Sequence, residues 1–544
     1  VIFTCAVGYI TSNTTIETSN AIIGIILVAI GAGAAGCLNM WYDSDIDAVM
    51  TRTCLRPIPT GKITRNYALI YGVALTILSV VLLNYFTVCN WPDVEKQTMT
   101  PAARIAAVIE ILTEMQASSD AGTLRGRRAG QWLSAGFQRR RFAGSGDRAA
   151  IGDLFWKIQR ATARIGWHLA SLNAPNSPRN MVLAALVLIE RRTAELPYLF
   201  SEGIAHAPAP LNTAEKSLAA VLADRSLTHP KMLDHTMFEW PEWLMGDTKA
   251  GLGDALGREL GALLVEAPTD VRINPLKLSD RRKLRDKLAG RSIKGHPTRL
   301  SPLGIRLEKR VRFEDLPEWK TGLFEVQDEG SQLAAMLCDA RPGMQIADIC
   351  AGAGGKSLVM AANMQNKGRI LALDPNTKRL EQCGKRLSLA GVHNVERKLV
   401  GEKWSNRSWR GKFDRVVIDA PCSGSGTWRR QVDARWQLTA KRLNEIKKTQ
   451  SILLEKARAM VVPGGRIIYI TCSVLASEGP QLIKQFLANA PEIEIADIVD
   501  IWAETIGKDG GGACPPIEDG LLQLLPGRDG TDGFFIAVMQ SRLR

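Results

Sequence analysis

Two long apolar runs, residues 21–38 (AIIGIILVAIGAGAAGCL) and 67–88 (YALIYGVALTILSVVLLNYFTV), carry no charged side chain. As a helix rising 1.5 Å per residue, the second would be about 33 Å long, enough to cross a bilayer core of about 30 Å. Both are therefore expected to be membrane helices. After Val88 the rhythm changes. From Met99 to about 235, apolar residues recur at spacings of three and four, as in RIAAVIEIL, AAIGDLFWKIQRATARI and RNMVLAALVLIERR, which predicts an all-helical domain. Residues 236–267 continue as a helical connector. A smaller α+β unit is expected over 268–325, with VRINPLKL as its first strand and the basic DRRKLRDKLAGR as its helix. From 326 to 544, short apolar strands alternate with helices: MQIADIC, RILALD, FDRVVIDA, RIIYITC and GFFIAVM. That alternation predicts a mainly parallel, doubly wound α/β sheet of Rossmann-like type, with its ligands at the carboxyl ends of the strands.

Charge adds a partner to this outline. The 544 residues carry a formal net charge of +14. Residues 1–98 hold five Lys or Arg and six Asp or Glu, so the excess lies on residues 99–544. A polyanion such as nucleic acid is the expected partner. Arg125, Arg127, Arg128, Arg139, Arg140 and Arg141 interleave with Trp132, Phe137 and Phe142, a mixture that suits phosphate contact with base stacking and equally a solvated helix face. The ten cysteines show no CxxC pair and no secreted-type spacing; they are read as reduced thiols of an intracellular protein. No metal ligand set is read from the chain.

Candidate chemistry gathers at the predicted strand ends. In IADICAGAGGKSLVMAA, a strand meets a glycine-rich turn and a helix start, and Gly352, Gly354 and Gly355 allow a tight turn and close approach to a ligand. The spacing before Lys356 is too short for a nucleoside triphosphate loop. Asp374 ends the next strand about 20 residues on, where an acid binds ribose hydroxyls in Rossmann-like sites. A dinucleotide or an S-adenosyl ligand would both fit. Asp419 ends the third strand, just before Cys422, and Cys472 closes the fourth. Two cysteines at neighbouring strand ends, each followed by serine, suit covalent catalysis, in which a thiolate splits one hard step into two easier ones.

The segments GLFEVQDEGSQLAA (322–335), DICAGAGGKS (348–357), ALDPNTKRL (372–380), DAPCSGSGTWRR (419–430), YITCSV (469–474) and GTDGFF (530–535) resemble, in order, motifs of the RsmB/Nop/Sun RNA cytosine-5 methyltransferases. The resemblance spans 99–544, and it implies a NusB-like helical RNA-binding domain over 99–235, an RRM-like α+β unit over 268–325 and a methyltransferase domain over 326–544. It further implies S-adenosyl-L-methionine held by Cys350, Ala351, Gly352, Ala353, Gly354, Gly355, Lys356, Asp374 and Asp419. Cys472 would be the nucleophile and Cys422 the residue that frees the product. Asp419 would also contact the cytosine ring, with Lys356 positioning that acid or lowering a thiol pKa. RNA, with ribosomal RNA ahead of transfer RNA, would be the partner, contacted through the helical arginines, the 280–296 basic stretch, Arg429 and Arg430. No obligate protein partner is inferred.

Two departures from the motifs stand out. Glu402 is the candidate for the acid expected in a GD-type turn, and Gly479 follows Glu478 where the family carries asparagine. At the other end of the chain, Asn39, Asp43 and Asp47, followed by Arg52, Arg56 and Pro57, resemble the first aspartate-rich region of UbiA-type prenyltransferases, nearest the protohaem IX farnesyltransferases. In that family the aspartates hold magnesium on a prenyl diphosphate. The likeness covers 1–88 and lacks the family's further helices, so a prenyltransferase activity is the alternative for that segment alone. Residues 1–98 are read as a truncated fragment joined to a second protein, by gene fusion or by an assembly fault. Residues 99–544 are expected in the cytoplasm, tethered to a membrane through 21–88 if the fusion is real. Deleting residues 1–98 is accordingly expected to leave methyl transfer intact; loss of folding or of activity in that deletion would overturn the two-protein reading.

Overall fold

The structure, a computed structural model, describes residues 18–47, 50, 53, 55–90, 99–120, 127–401 and 404–543. They form two separate units, Val1–Thr98 and Met99–Arg544.

In the first unit both apolar runs are helical, Thr18–Tyr42 and Arg65–Asn90, and both contain stretches long and apolar enough to cross a membrane. Small residues let the two helices approach. A Cβ on Gly31 would lie 2.9 Å from Ser79 Oγ, and one on Gly72 would lie 2.9 Å from the Leu38 side chain. Ser79 Oγ donates to the Leu27 carbonyl at 2.9 Å, the kind of interhelical bond that holds helices together without water. The acidic segment follows the first helix. The Asp43 amide donates to Asn39 O and the Asp47 amide to Asp43 O, each at 2.8 Å, so the three positions keep helical spacing. Asp47 pairs with Arg56 at 2.7 Å. Arg52 lies outside the described residues.

In the second unit, the regular elements among the described residues of 101–264 are all helices. Ile111, Phe155, Ile165 and Leu186 lie in the shared core of the first helices. The connector does more than link. Trp240, Leu252, Leu260 and Leu263 pack with Trp428, Val474 and Leu475 of the last domain.

Next comes a four-stranded antiparallel sheet of β1 (Thr269–Ile273), β2 (Gly295–Pro297), β3 (Gly304–Leu307) and β4 (Phe324–Val326), in the order β2-β3-β1-β4. The basic helix Arg281–Ala289 buries Leu284 and Leu288 against it. The large sheet contains β5 (Gln345–Asp348), β6 (Arg369–Asp374), β7 (Val395–Leu399), β8 (Phe413–Asp419), β9 (Val461–Thr471), β10 (Ile493–Ile495), β11 (Ile517–Glu518), β12 (Leu521–Leu524) and β13 (Phe534–Ser541). Its order is β11-β12-β13-β9-β8-β5-β6-β7, with β10 beside β13.

Strands β5 to β9 pair in parallel. Their period of two sorts the apolar residues into two cores. Ile346, Ile370, Val417 and Ile468 face one layer of helices; Ala347, Leu371, Val416 and Tyr469 face the other. That double burial is why these strands read as continuous apolar runs. The expected GFFIAVM strand, β13, runs antiparallel to β9, so the sheet is parallel in its centre and mixed at one edge. The chain runs β5-β6-β7 in one direction, then returns to place β8 on the other side of β5. The carboxyl ends of β5 and β8 therefore flank the switch point where α/β sheets hold ligands.

Candidate active site

Strand β5 ends at Asp348, and residues 349–354 turn into the helix Gly355–Asn363. The turn is stitched to both neighbouring strands: the Ile349 amide donates to Val417 O and the Ala351 amide to Leu373 O, each at 3.0 Å. Gly354 has φ +80°, and a Cβ there would lie 2.5 Å from Cys383 Sγ. Glycine is required on both counts. Asp374, at the end of β6, accepts from the Gly352 amide at 2.9 Å and from the Asn376 amide at 2.8 Å. Arg386 donates to Ala353 O at 2.7 Å while pairing with Glu325 at 2.9 Å.

These constraints shape a cavity of about 380 Å³ whose walls include Ala351, Gly352, Ala353, Gly355, Lys356 and Asp419. Asp374 is only 3% exposed and supports the loop. Cys350 packs against the core face containing Leu371 and Val416, and burial pushes its thiol pKa up. It serves as a packing residue of the loop. Gln327, Arg379 and Arg386 also line the cavity, and nothing in their local pattern marked them. Glu402 lies outside the described residues.

Asp348 was missed in the sequence, although the strand-end logic applied to Asp374 and Asp419 covers it too. It is 1% exposed. One oxygen accepts from Ser357 Oγ at 2.6 Å, and Oδ1 has no partner among the described residues. An unpaired buried acceptor at the base of the glycine loop is the donor-seeking feature expected of a cofactor cradle. Burial pushes this carboxyl up to about 6, Asp419 adds to the rise, and Ser357 and Lys356 oppose it.

The two cysteines meet beyond the next pair of strands. β8 and β9 lie side by side with Asp419 opposite Ile470, so residues just past their ends share one rim. Cys422 Sγ and Cys472 Sγ are 3.4 Å apart. Beneath them Lys356 Nζ pairs with Asp419 at 2.6 Å; the lysine side chain is 8% exposed and the aspartate 37%, so the acid is the member of the pair open to a substrate. Burial opposes the ammonium, but Asp419 overcomes it and raises the Lys356 pKa. The hydrogen bond to Cys472, with burial, holds the Cys422 thiol well above the ordinary cysteine range. The expectation that Lys356 lowers a thiol pKa is not met at Cys422, because the other sulfur dominates its surroundings.

The expected RNA contacts divide. Arg429 is 5% exposed and donates to Asp532 at 2.6 Å. Arg430 donates to Asp328 at 3.0 Å, whose carboxyl is pushed up to about 7 by burial and the neighbouring Asp532. Both arginines pair with the buried carboxylates of Asp328 and Asp532; Arg429 is buried with them, whereas Arg430 keeps an exposed face. In the helical domain, Trp132 is 8% exposed within the core, with the Arg127 guanidinium 4.0 Å from its ring. Arg139 and Arg140 pair with Glu114 and Glu110. Arg141 and Phe142 remain exposed, as do Arg282, Lys283 and Lys287 of the basic helix. Arg125 lies outside the described residues.

A Cβ on Gly479 would lie 3.0 Å from the Phe535 ring, so Gly479→Asn is expected to destabilise the fold by about 1–3 kcal/mol in urea unfolding, with recovery when Phe535 is shortened to Leu. For Asp348, the folded chain holds a proton up to about pH 6 that the unfolded chain releases near 3.8. Its contribution to stability is full below pH 3.8, falls as pH rises through that window and is flat above it. The stability gain of Asp348→Asn over the parent is therefore expected to grow between about pH 4 and pH 6 and then level off; a difference independent of pH would overturn the assignment.

Comparison with known proteins agrees with this geometry. Residues 335–540 match the 16S rRNA methyltransferase RsmB/F family, and residues 1–92 match the UbiA prenyltransferase family. The ribosomal RNA small subunit methyltransferase B of Xylella fastidiosa (strain 9a5c) is 31% identical over 303 residues, 55% of this chain and 68% of that protein. The chain spans about two thirds of the length of such relatives, 66% of the first two. The protoheme IX farnesyltransferase of Pelagibacter ubique (strain HTCC1062) is 63% identical over 86 residues, 16% of this chain and 28% of that protein. Among solved structures, PH0851 superposes with a TM-score of 0.63 at 21% identity, covering 82% of this chain and all of that one, which speaks to the fold. With its glycine loop, its paired strand-end cysteines and these matches, the chain belongs to the RsmB/F family of 16S rRNA methyltransferases, behind an N-terminal segment of UbiA type.

Proposed function

We propose that residues 99–544 methylate carbon 5 of cytosine in RNA, with 16S ribosomal RNA as the substrate, using S-adenosyl-L-methionine. The observation that carries this reading is the 3.4 Å approach of the Cys422 and Cys472 sulfurs beside the Lys356–Asp419 pair. The cofactor would lie against the 351–356 loop, with Asp374 holding the loop and Asp348 offering a free acceptor. When bound, it supplies the electrophilic methyl group.

The chain's own residues supply the rest. The Cys472 thiolate adds to carbon 6 of the cytosine, forming the sulfur–carbon bond and moving the double-bond electrons towards carbon 5 and the ring nitrogen. Asp419, which receives a hydrogen bond from the buried Lys356 ammonium, meets the negative charge that develops on that nitrogen by relaying to it a proton from Lys356. After carbon 5 has been methylated, its proton must leave so that the sulfur–carbon bond can break and aromaticity return. Cys422 is suited to take that proton. The neighbouring thiol is the first cause of its raised pKa, and once Cys472 is bonded to carbon that cause is gone, so Cys422 becomes easier to ionise when a base is needed.

The base must leave its stack to reach this rim. The exposed Arg141, Phe142, Arg282, Lys283 and Lys287 would hold the flanking backbone, with binding that weakens as salt rises. The helical domain would serve as the NusB-like RNA-binding part. The two apolar helices of residues 18–90 would anchor the chain to a membrane, with the rest in the cytoplasm.

Incubation with ribosomal RNA and labelled cofactor tests the assignment. Cys422→Ala is expected to accumulate a covalent RNA adduct on a denaturing gel, while Cys472→Ala forms none, and turnover falls on the order of 10²-fold or more in both. The opposite adduct pattern would exchange the two roles. Methylation of transfer RNA in place of ribosomal RNA would move the substrate.

A further inference from the structure

The serine after each cysteine has a shared partner. Ser423 and Ser473 converge on the carboxylate of Glu478, which is fully buried. Glu478 Oε1 accepts from the Ser423 amide at 2.9 Å and from Gln450 Nε2 at 3.0 Å. Oε2 accepts from Ser473 Oγ at 2.6 Å and also from Ser423 Oγ. The residue is fixed in turn: Tyr469 OH donates to its carbonyl at 2.9 Å, and Gln450 Nε2 also donates to Pro421 O at 2.9 Å, just before Cys422. One carboxylate thus ties the loop after β8 to the loop after β9.

We propose that Glu478 is a positioning residue which, through Ser423 and Ser473, sets the separation of the two thiols. The proposal rests on the reading that Cys422 and Cys472 act in turn on one base. A carboxylate suits the task because both of its oxygens only accept, so it can take all four donors at once. Those charge-assisted bonds offset the cost of burying the ionised group. Glutamine at this position would turn its NH₂ either towards the two serine hydroxyls or towards the Ser423 amide and Gln450 Nε2, and would lose two of the four acceptor contacts in either orientation. Further bonds link the same loops: the Gly426 amide donates to Cys472 O at 3.0 Å, and the Val474 amide donates to Ser425 Oγ at 3.0 Å. These act on the backbone beside the cysteines; Ser473 Oγ also lies 3.2 Å from Ser423 Oγ and 3.0 Å from Ser425 Oγ, and Glu478 is the carboxylate that accepts from the hydroxyl directly after each sulfur-bearing position.

Thiol separation can be read without any methyl transfer. The full chain is treated with the thiol oxidant diamide, and the rate of Cys422–Cys472 disulfide formation is followed by peptide mass spectrometry. The parent is expected to cross-link. Glu478→Gln is expected to do so at least tenfold more slowly while circular dichroism and thermal unfolding show a retained fold. If that variant fails to fold, the Ser423→Ala, Ser473→Ala double variant, which keeps the carboxylate and removes both hydroxyls, is expected to show the same slowing. Ser473→Thr, which keeps its hydroxyl, is expected to cross-link like the parent. A parent that does not cross-link, or parent-like rates in the folded Gln or double-Ala variants, would overturn the proposal. In methyl transfer, Glu478→Gln is expected to lower kcat at unchanged KM for RNA. A parent with no methyl transfer at all would sink the proposed function and leave the cross-linking result to decide the clamp.

Discussion

The parallel pairing of β8 with β9 is the constraint from which the site grows. With Asp419 opposite Ile470, the chain must leave both strands at the same rim, and whatever follows them is brought together whether or not it is reactive. β5, on the other side of β8, brings its own loop to that rim, and the helix after it carries Lys356 under Asp419. Crowding chain exits in this way has a cost, since their polar groups leave the ladder and must find partners. Side chains meet part of it: Ser425 and Gln450 bond main-chain groups of segments far away in sequence.

The helical part of the second unit is joined to that rim rather than tethered beside it. Trp240 packs against Trp428 with ring centroids 4.5 Å apart. A Cβ on Gly251 would lie 2.6 Å from Val474 O, and Asp247 accepts from the Ser477 amide at 2.9 Å. Arg160 donates to Arg429 O at 2.8 Å and the Ala129 amide to Asp433 at 2.9 Å. The loop bearing Cys472 is therefore backed by the connector on one side and by the sheet on the other. Its shape is a property of the whole unit.

The centre of the large sheet and most of its rim were legible in the sequence because burial on both faces writes itself as apolar runs, and the strand ends as Asp, Gly, Pro and Cys. Other features were not. β7 was missed because its VERKL residues lie at the sheet edge, partly or fully exposed, so it lacks the apolar signature. The direction of β13 is set by which neighbour it pairs with, and composition says nothing of that. Arg429 and Arg430 looked like phosphate ligands because their partner Asp532 lies about a hundred residues away in sequence. A local reading sees the charge and not the carboxylate that neutralises it. The doubled Cys-Ser pair was visible from the start, yet its shared acceptor was not.

That shared acceptor makes the repeated dipeptide one structural device rather than two. One carboxylate serves both hydroxyls, so removing it leaves the buried Ser473 hydroxyl and the half-buried Ser423 hydroxyl to find other acceptors. Positions 423, 473 and 478 form one bonded unit drawn from the two loops that leave β8 and β9.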